Sequence, residues 1–159
     1  MKKKLISGGQ VLKYYDILKT KIINDNCSVQ EVNNFDKDKK VTFYGFYDPE
    51  NYLIEVGISR SPYVMLIVLA HEYGHFLDYL RFFKNYGKRS YDRYIKKVKF
   101  RQMELITSET NAWFLAEEEL NKIDKNICLD YRFFKHKDKF LQTTIEELYQ
   151  RKQRKKNGI

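Results

Sequence analysis

The residues with the greatest chemical reach stand together as His71-Glu72-Tyr73-Gly74-His75, an HExxH pattern. In a helix of 3.6 residues per turn, positions i and i+4 share a face. Both imidazoles can then reach one cation, while Glu72 leaves roughly 100° around the axis, beside that cation rather than on it. Zinc accepts imidazole nitrogen at about 2.0–2.1 Å and lowers the pKa of bound water to about 7. A carboxylate beside it can take the proton as water attacks a carbonyl, which gives Glu72 the part of general base. With only three histidines in 159 residues, chance seldom sets two of them at this spacing around a Glu. The expected cofactor is one zinc ion per chain, with His71 and His75 as ligands.

A catalytic zinc usually has three protein ligands and keeps the fourth position for water. The extended pattern HExxHxxGxxH fails, because Asp78 stands where its Gly belongs and Arg81 where its third His belongs. The remaining histidine, His136, lies in a Lys-rich stretch. Among downstream carboxylates, Glu109 sits in the middle of an apolar helical stripe of Leu105, Ile106, Ala112, Trp113, Ala116 and Leu120, whereas Glu104 aligns with Ser108 and Asn111 on a polar face. A carboxylate on an apolar stripe is costly unless it is paired or bound to metal, so Glu109 is the better third ligand. Glu117, Glu118 and Glu119 read as a solvated surface run, and Trp113 reads as core. Asp78 shares the histidine face and could orient a ligand or pair with Arg81.

These residues need elements to position them. The eight apolar residues from Tyr63 to Ala70, preceded by Ser61-Pro62 as N-cap and first helical residue, predict a long buried helix reaching about Lys84. Upstream, Val11, Leu12, Tyr15, Leu18, Ile22 and Ile23 predict an amphipathic helix over about Gln10 to Asn24. Alternation over Val41 to Tyr47 and Tyr52 to Ile58, around Asp48-Pro49-Glu50-Asn51, predicts a β-hairpin, and Ser28 to Asn33 a further short strand. Helical patterns follow over roughly Tyr91 to Ile123 and Phe134 to Arg151. The expected fold class is α+β, with a small sheet packed on the site-bearing helix and further helices toward the C-terminus.

His71-Glu72-xx-His75, followed 34 residues later by Ser108-Glu109-xx-Ala112 with Ala116, resembles the gluzincin metallopeptidases. The short chain, the HExGH form and the preceding hairpin look most like their small single-domain members, the ImmA/IrrE-like peptidases and other minigluzincins. The resemblance covers about Val41 to Leu120. It implies a zincin-like domain whose third zinc ligand is Glu109. It also implies that the strand near Tyr52 to Ile58, with Tyr52, Ile54 and Val56, edges the cleft and receives an extended peptide by strand addition. Gluzincins commonly supply a Tyr or His to polarise the developing oxyanion. Tyr91, Tyr94, Tyr131 and His136 are the candidates, and the sequence does not choose among them.

Length and composition suit one domain over 1–159 with a basic tail from about residue 151, since 43% hydrophobic residues can build a single core. No apolar run approaches the roughly 18–20 residues of a membrane-spanning helix, and Leu5 to Tyr15 forms no apolar leader. Cys27 and Cys128 are isolated, so a cytoplasmic chain with two ordinary thiols is expected. The net charge of +9 would attract acidic partners, nucleic acid among them. No nucleic-acid reader motif accompanies it, so a solvated exterior is the favoured expectation. The sequence therefore points to a zinc peptidase acting on a specific protein substrate. The alternative is a zincin-like regulatory or interaction module that keeps the metal without the activity. Oligomeric state is left open.

Overall fold

The computed structural model describes residues 5–33, 35–36, 41–42, 44–58, 61–87, 90, 93 and 102–156. Helix α1 (Gly8–Asn24) begins at a capping box in which the side chains of Ser7 and Gln10 each accept the other's backbone N–H. That box starts the helix two residues before the expected Gln10. Val11, Tyr15, Leu18 and Ile22 form its buried stripe. Asn26, at φ 64°, then turns the chain into β1 (Ser28–Asn33).

The hairpin forms, with a shorter first arm than expected. Strands β2 (Phe35–Asp36) and β3 (Val41–Thr42) pair with each other as a separate two-stranded ribbon. Only β4 (Gly45–Asp48) lies antiparallel against β5 (Leu53–Ile58). Asp48 Oδ1 accepts the Glu50 and Asn51 N–H groups, and Tyr52 takes φ 49°, so the turn around Pro49 closes as its residue types predict. The order is β1-β5-β4, with β1 parallel to β5. This corrects the expectation for Tyr52, Ile54 and Val56. Strand β5 is the centre of the sheet, because the tight turn occupies one side with β4 and β1 covers the other. Ile54 and Val56 are fully buried, and Tyr52 belongs to the turn.

Helix α2 (Pro62–Tyr86) follows with Pro in its first turn and ends at Gly87, whose φ of 72° suits glycine. The Ser61 hydroxyl makes no capping bond; the Ser61 carbonyl instead accepts the Val64 and Met65 N–H groups. Helices α3 (Gln102–Ile123), α4 (Lys125–Leu129) and α5 (Tyr131–Lys156) complete five helices among the described residues. Helix α5 begins ahead of the expected Phe134 because the Asp130 carboxylate accepts the Arg132 N–H at its first turn. The fold is α+β, with α2 through its middle. Leu66 to Ala70, Tyr73 and Phe76 of α2 meet Ile54 and Val56 of the sheet, the α1 stripe, and Trp113, Ala116 and Leu120 of α3. Among the described residues no helix is long and apolar enough to cross a membrane.

Candidate metal centre

Helix α2 carries His71, Glu72 and His75 at its middle, and α3 brings Glu109 to them. The approach depends on Gly74. A Cβ at Gly74 would overlap the Ala112 carbonyl, so the missing side chain lets the backbones of α2 and α3 close together. Glu109 lies three residues before Ala112, on the turn that faces α2. Gly45 of β4 plays the matching part on the other side: a Cβ there would overlap Val68 and lie 3.0 Å from Glu72 Oε1. A glycine in a strand signals such a close approach, and Gly45 at the start of β4 is that cue.

His71 Nε2 and His75 Nε2 are 3.2 Å apart. Glu109 Oε2 lies 3.1 Å from His71 Nε2, and Glu109 Oε1 lies 3.5 Å from His75 Nε2. Tetrahedral ligands at zinc bond lengths stand about 3.3–3.4 Å from one another, close to these separations, with one oxygen of Glu109 turned toward each imidazole. Their ligand atoms form a group able to hold a metal ion, all within 4.8 Å of one another. The donor set, two imidazoles and a carboxylate, is also the kind that zinc accepts in a catalytic site.

The electrostatics suit a cation. Burial alone would raise the Glu109 carboxyl, but the His71 hydrogen bond and the two imidazoles outweigh it and keep Glu109 below the ordinary carboxylate value. Burial and the neighbouring His71 push His75 down to about 4, leaving it neutral and able to ligate. Burial also disfavours protonated His71, yet the Glu109 hydrogen bond and the charges of Glu72 and Glu109 raise its pKa overall. Glu72 is 8% exposed. Its carboxyl is pushed up to about 7, chiefly by burial and further by Glu109, against the opposing effects of His71 and the Tyr47 backbone N–H. A base poised near neutrality can both accept and return a proton.

The other expected site residues separate. Asp78 accepts a long, 3.4 Å hydrogen bond from Asn111 and so links α2 to α3 rather than holding an imidazole. Arg81 lies 3.9 Å from Glu118, and its charge also opposes the rise that burial gives the Asp78 pKa. Tyr91 and Tyr94 lie outside the described residues. Tyr131 opens α5 and is 48% exposed. His136 is half-buried one turn before Phe140 on α5, and Phe140 stacks toward His71 at 6.2 Å. Of the described oxyanion candidates, His136 thus shares a face with a side chain that reaches the centre. Nothing in the Lys-rich surroundings of Phe140 marks it in the sequence. Glu119 is a correction: it is 7% exposed and paired with Lys122, with Lys21 of α1 at 3.8 Å, rather than solvated. Among the described strands, β4 rather than β5 is the sheet edge beside Glu72. The chain matches no protein-family model, no curated protein and no solved structure.

Proposed function

We propose that this chain is a zinc-dependent peptidase of the gluzincin type. One observation carries the reading: His71 and His75 of α2 and Glu109 of α3 converge at tetrahedral spacing, with a buried carboxylate, Glu72, next in sequence to the first histidine. Zinc in this group would supply Lewis acidity, polarising a carbonyl oxygen and acidifying water. Glu72 is the base that takes the water's proton and, as an acid, returns it to the leaving amine. The Tyr47 N–H fixes the Glu72 carboxylate from β4. The same strand offers backbone groups to an extended peptide, which gives the expected strand-addition role to Gly45–Asp48. The two buried, unpaired thiols, Cys27 and Cys128, favour a reducing, cytoplasmic setting.

Elemental analysis of the purified protein tests the site. About one zinc per chain is expected, lost in His71→Ala and Glu109→Ala while circular dichroism stays native, and retained in Glu72→Gln. Incubation of wild type and Glu72→Gln with a cell extract, followed by labelling of new N-termini, tests the activity. Cleavages made only by wild type support a peptidase. Zinc binding with no wild-type cleavage would transfer the reading to a regulatory module, and no zinc binding would remove both.

A further inference from the structure

A histidine that ligates a metal normally donates its second ring N–H to a carboxylate, a carbonyl or water, and that bond sets the orientation of the ring. The Nδ1 of His71 is buried and has no hydrogen-bond partner among the described residues. The ring is instead walled by aromatics. The Trp113 ring centroid lies 4.4 Å from that of His71 with the planes tilted by 30°, and Phe140 stacks on His71 at 6.2 Å and 25°. Trp113 is itself braced: it is 1% exposed, meets Phe140 at 5.8 Å and takes the edge of Phe133 at 6.0 Å. Helix register links this wall to the ligand set. Trp113 follows Glu109 by four residues, so adjacent turns on one face of α3 present the carboxylate and the indole, and the Gly74–Ala112 contact sets the depth of both.

We propose that Trp113, backed by Phe140, is a positioning residue for the metal centre, holding the His71 imidazole in its ligating orientation by stacking where a hydrogen bond would ordinarily do so. The inference rests on the zinc-site reading above. It changes the expectation for Trp113, which as plain core packing would affect stability and leave metal affinity alone. It also makes the chain's only tryptophan a reporter of its own metal site.

The test is zinc affinity, measured by chelator competition on the full chain, for wild type, Trp113→Leu, Trp113→Phe and Phe140→Leu, with thermal unfolding of each metal-free form as the control. Trp113→Leu keeps an apolar filler without a ring face. It should weaken zinc binding about 10–100-fold, the usual effect of losing a group that orients a ligand. Trp113→Phe should recover most of that loss, and Phe140→Leu should weaken binding several-fold. In the unmodified protein, zinc should change the Trp113 emission. Trp113→Leu binding zinc as tightly as wild type, whatever its stability, would overturn the inference and leave the zinc site standing. Should Trp113→Leu not fold, Phe140→Leu with wild-type affinity and an emission unmoved by zinc would overturn it instead. A wild-type chain that binds no zinc removes the site and this inference together.

Discussion

At the residue scale the proposed reaction requires Glu72 to be buried and still available as a base. Burial pushes its carboxyl up to about 7, and the His71 charge together with the Tyr47 N–H keeps it from rising further. Glutamine has the same shape and can still accept that N–H, but it cannot take a proton. Glu72→Gln is therefore expected to keep its fold and its zinc while losing about 10²–10⁴-fold in peptide hydrolysis, the usual contribution of a general base. A cleaved peptide from the extract incubation, resynthesised, would provide the rate assay; unaltered turnover would remove Glu72 from the mechanism. Glu109 differs in kind. It bridges two imidazoles that otherwise stand 3.2 Å apart, so its loss should appear in metal content before it appears in any rate.

At the element scale the site depends on how closely α2 and α3 approach. Gly74→Ala places a methyl inside the Ala112 carbonyl, a backbone atom that cannot swing away. The expected cost is about 1–3 kcal/mol of stability from overpacking, together with weaker zinc binding as Glu109 is carried off with α3. Gly9→Ala is the contrast: its added Cβ on α1 meets nothing, and helix propensity predicts a gain of about 0.5–1 kcal/mol with zinc affinity unchanged. Urea unfolding and chelator competition on the two variants measure both effects, and a Gly74→Ala protein as stable and as tight-binding as wild type would contradict the close-approach argument. Elements governed by local periodicity were legible in the sequence: α1, α2, the hairpin turn, β1, and Glu109 on its stripe. Features set by distant neighbours were not. The hairpin alone does not say which arm becomes central, because that depends on β1 arriving parallel to β5. Glu119 continues the Ala112–Ala116 face at i+7 and i+3, but its pairing with Lys21 required knowing that α1 passes there. Phe140 reaches His71 only because α5 folds back across the centre.

At the scale of the whole molecule the N-terminal segment is tied to the C-terminal helices by an ion pair between buried Asp130 and part-buried Arg132. Arg132 Nε and Nη2 grip the two oxygens of Asp130 at 3.0 and 2.6 Å, and Nη2 also donates to the Ile6 carbonyl. Asp130 is 4% exposed, and the Arg132 guanidinium lies 4.1 Å over the Tyr63 ring, whose hydroxyl donates to the Ile127 carbonyl. Burial opposes the ionised carboxyl, but Arg132 and the backbone N–H groups of Arg132 and Ile6 prevail and hold the Asp130 pKa below its ordinary value. Because the folded pKa is the lower one, the clasp stabilises fully above the unfolded value of about 3.9 and is lost as pH falls through the folded value. Asp130→Ala is therefore expected to cost about 1.5–3 kcal/mol at pH 7, the range for hydrogen bonds to a charged group, and progressively less as pH falls below about 3.9 toward pH 3. Urea unfolding of both proteins at the two pH values, with a chelator present so that the metal centre contributes equally, measures the difference. A gap between variant and wild type that stays the same at both pH values would mean that Asp130 stabilises the fold by shape rather than by charge. The link between Ile6 and α5 would then be a matter of packing, and acid sensitivity would have to arise elsewhere, with Glu31 and Asp124, also held low by Lys19 and Tyr14, as the next carboxylates to test.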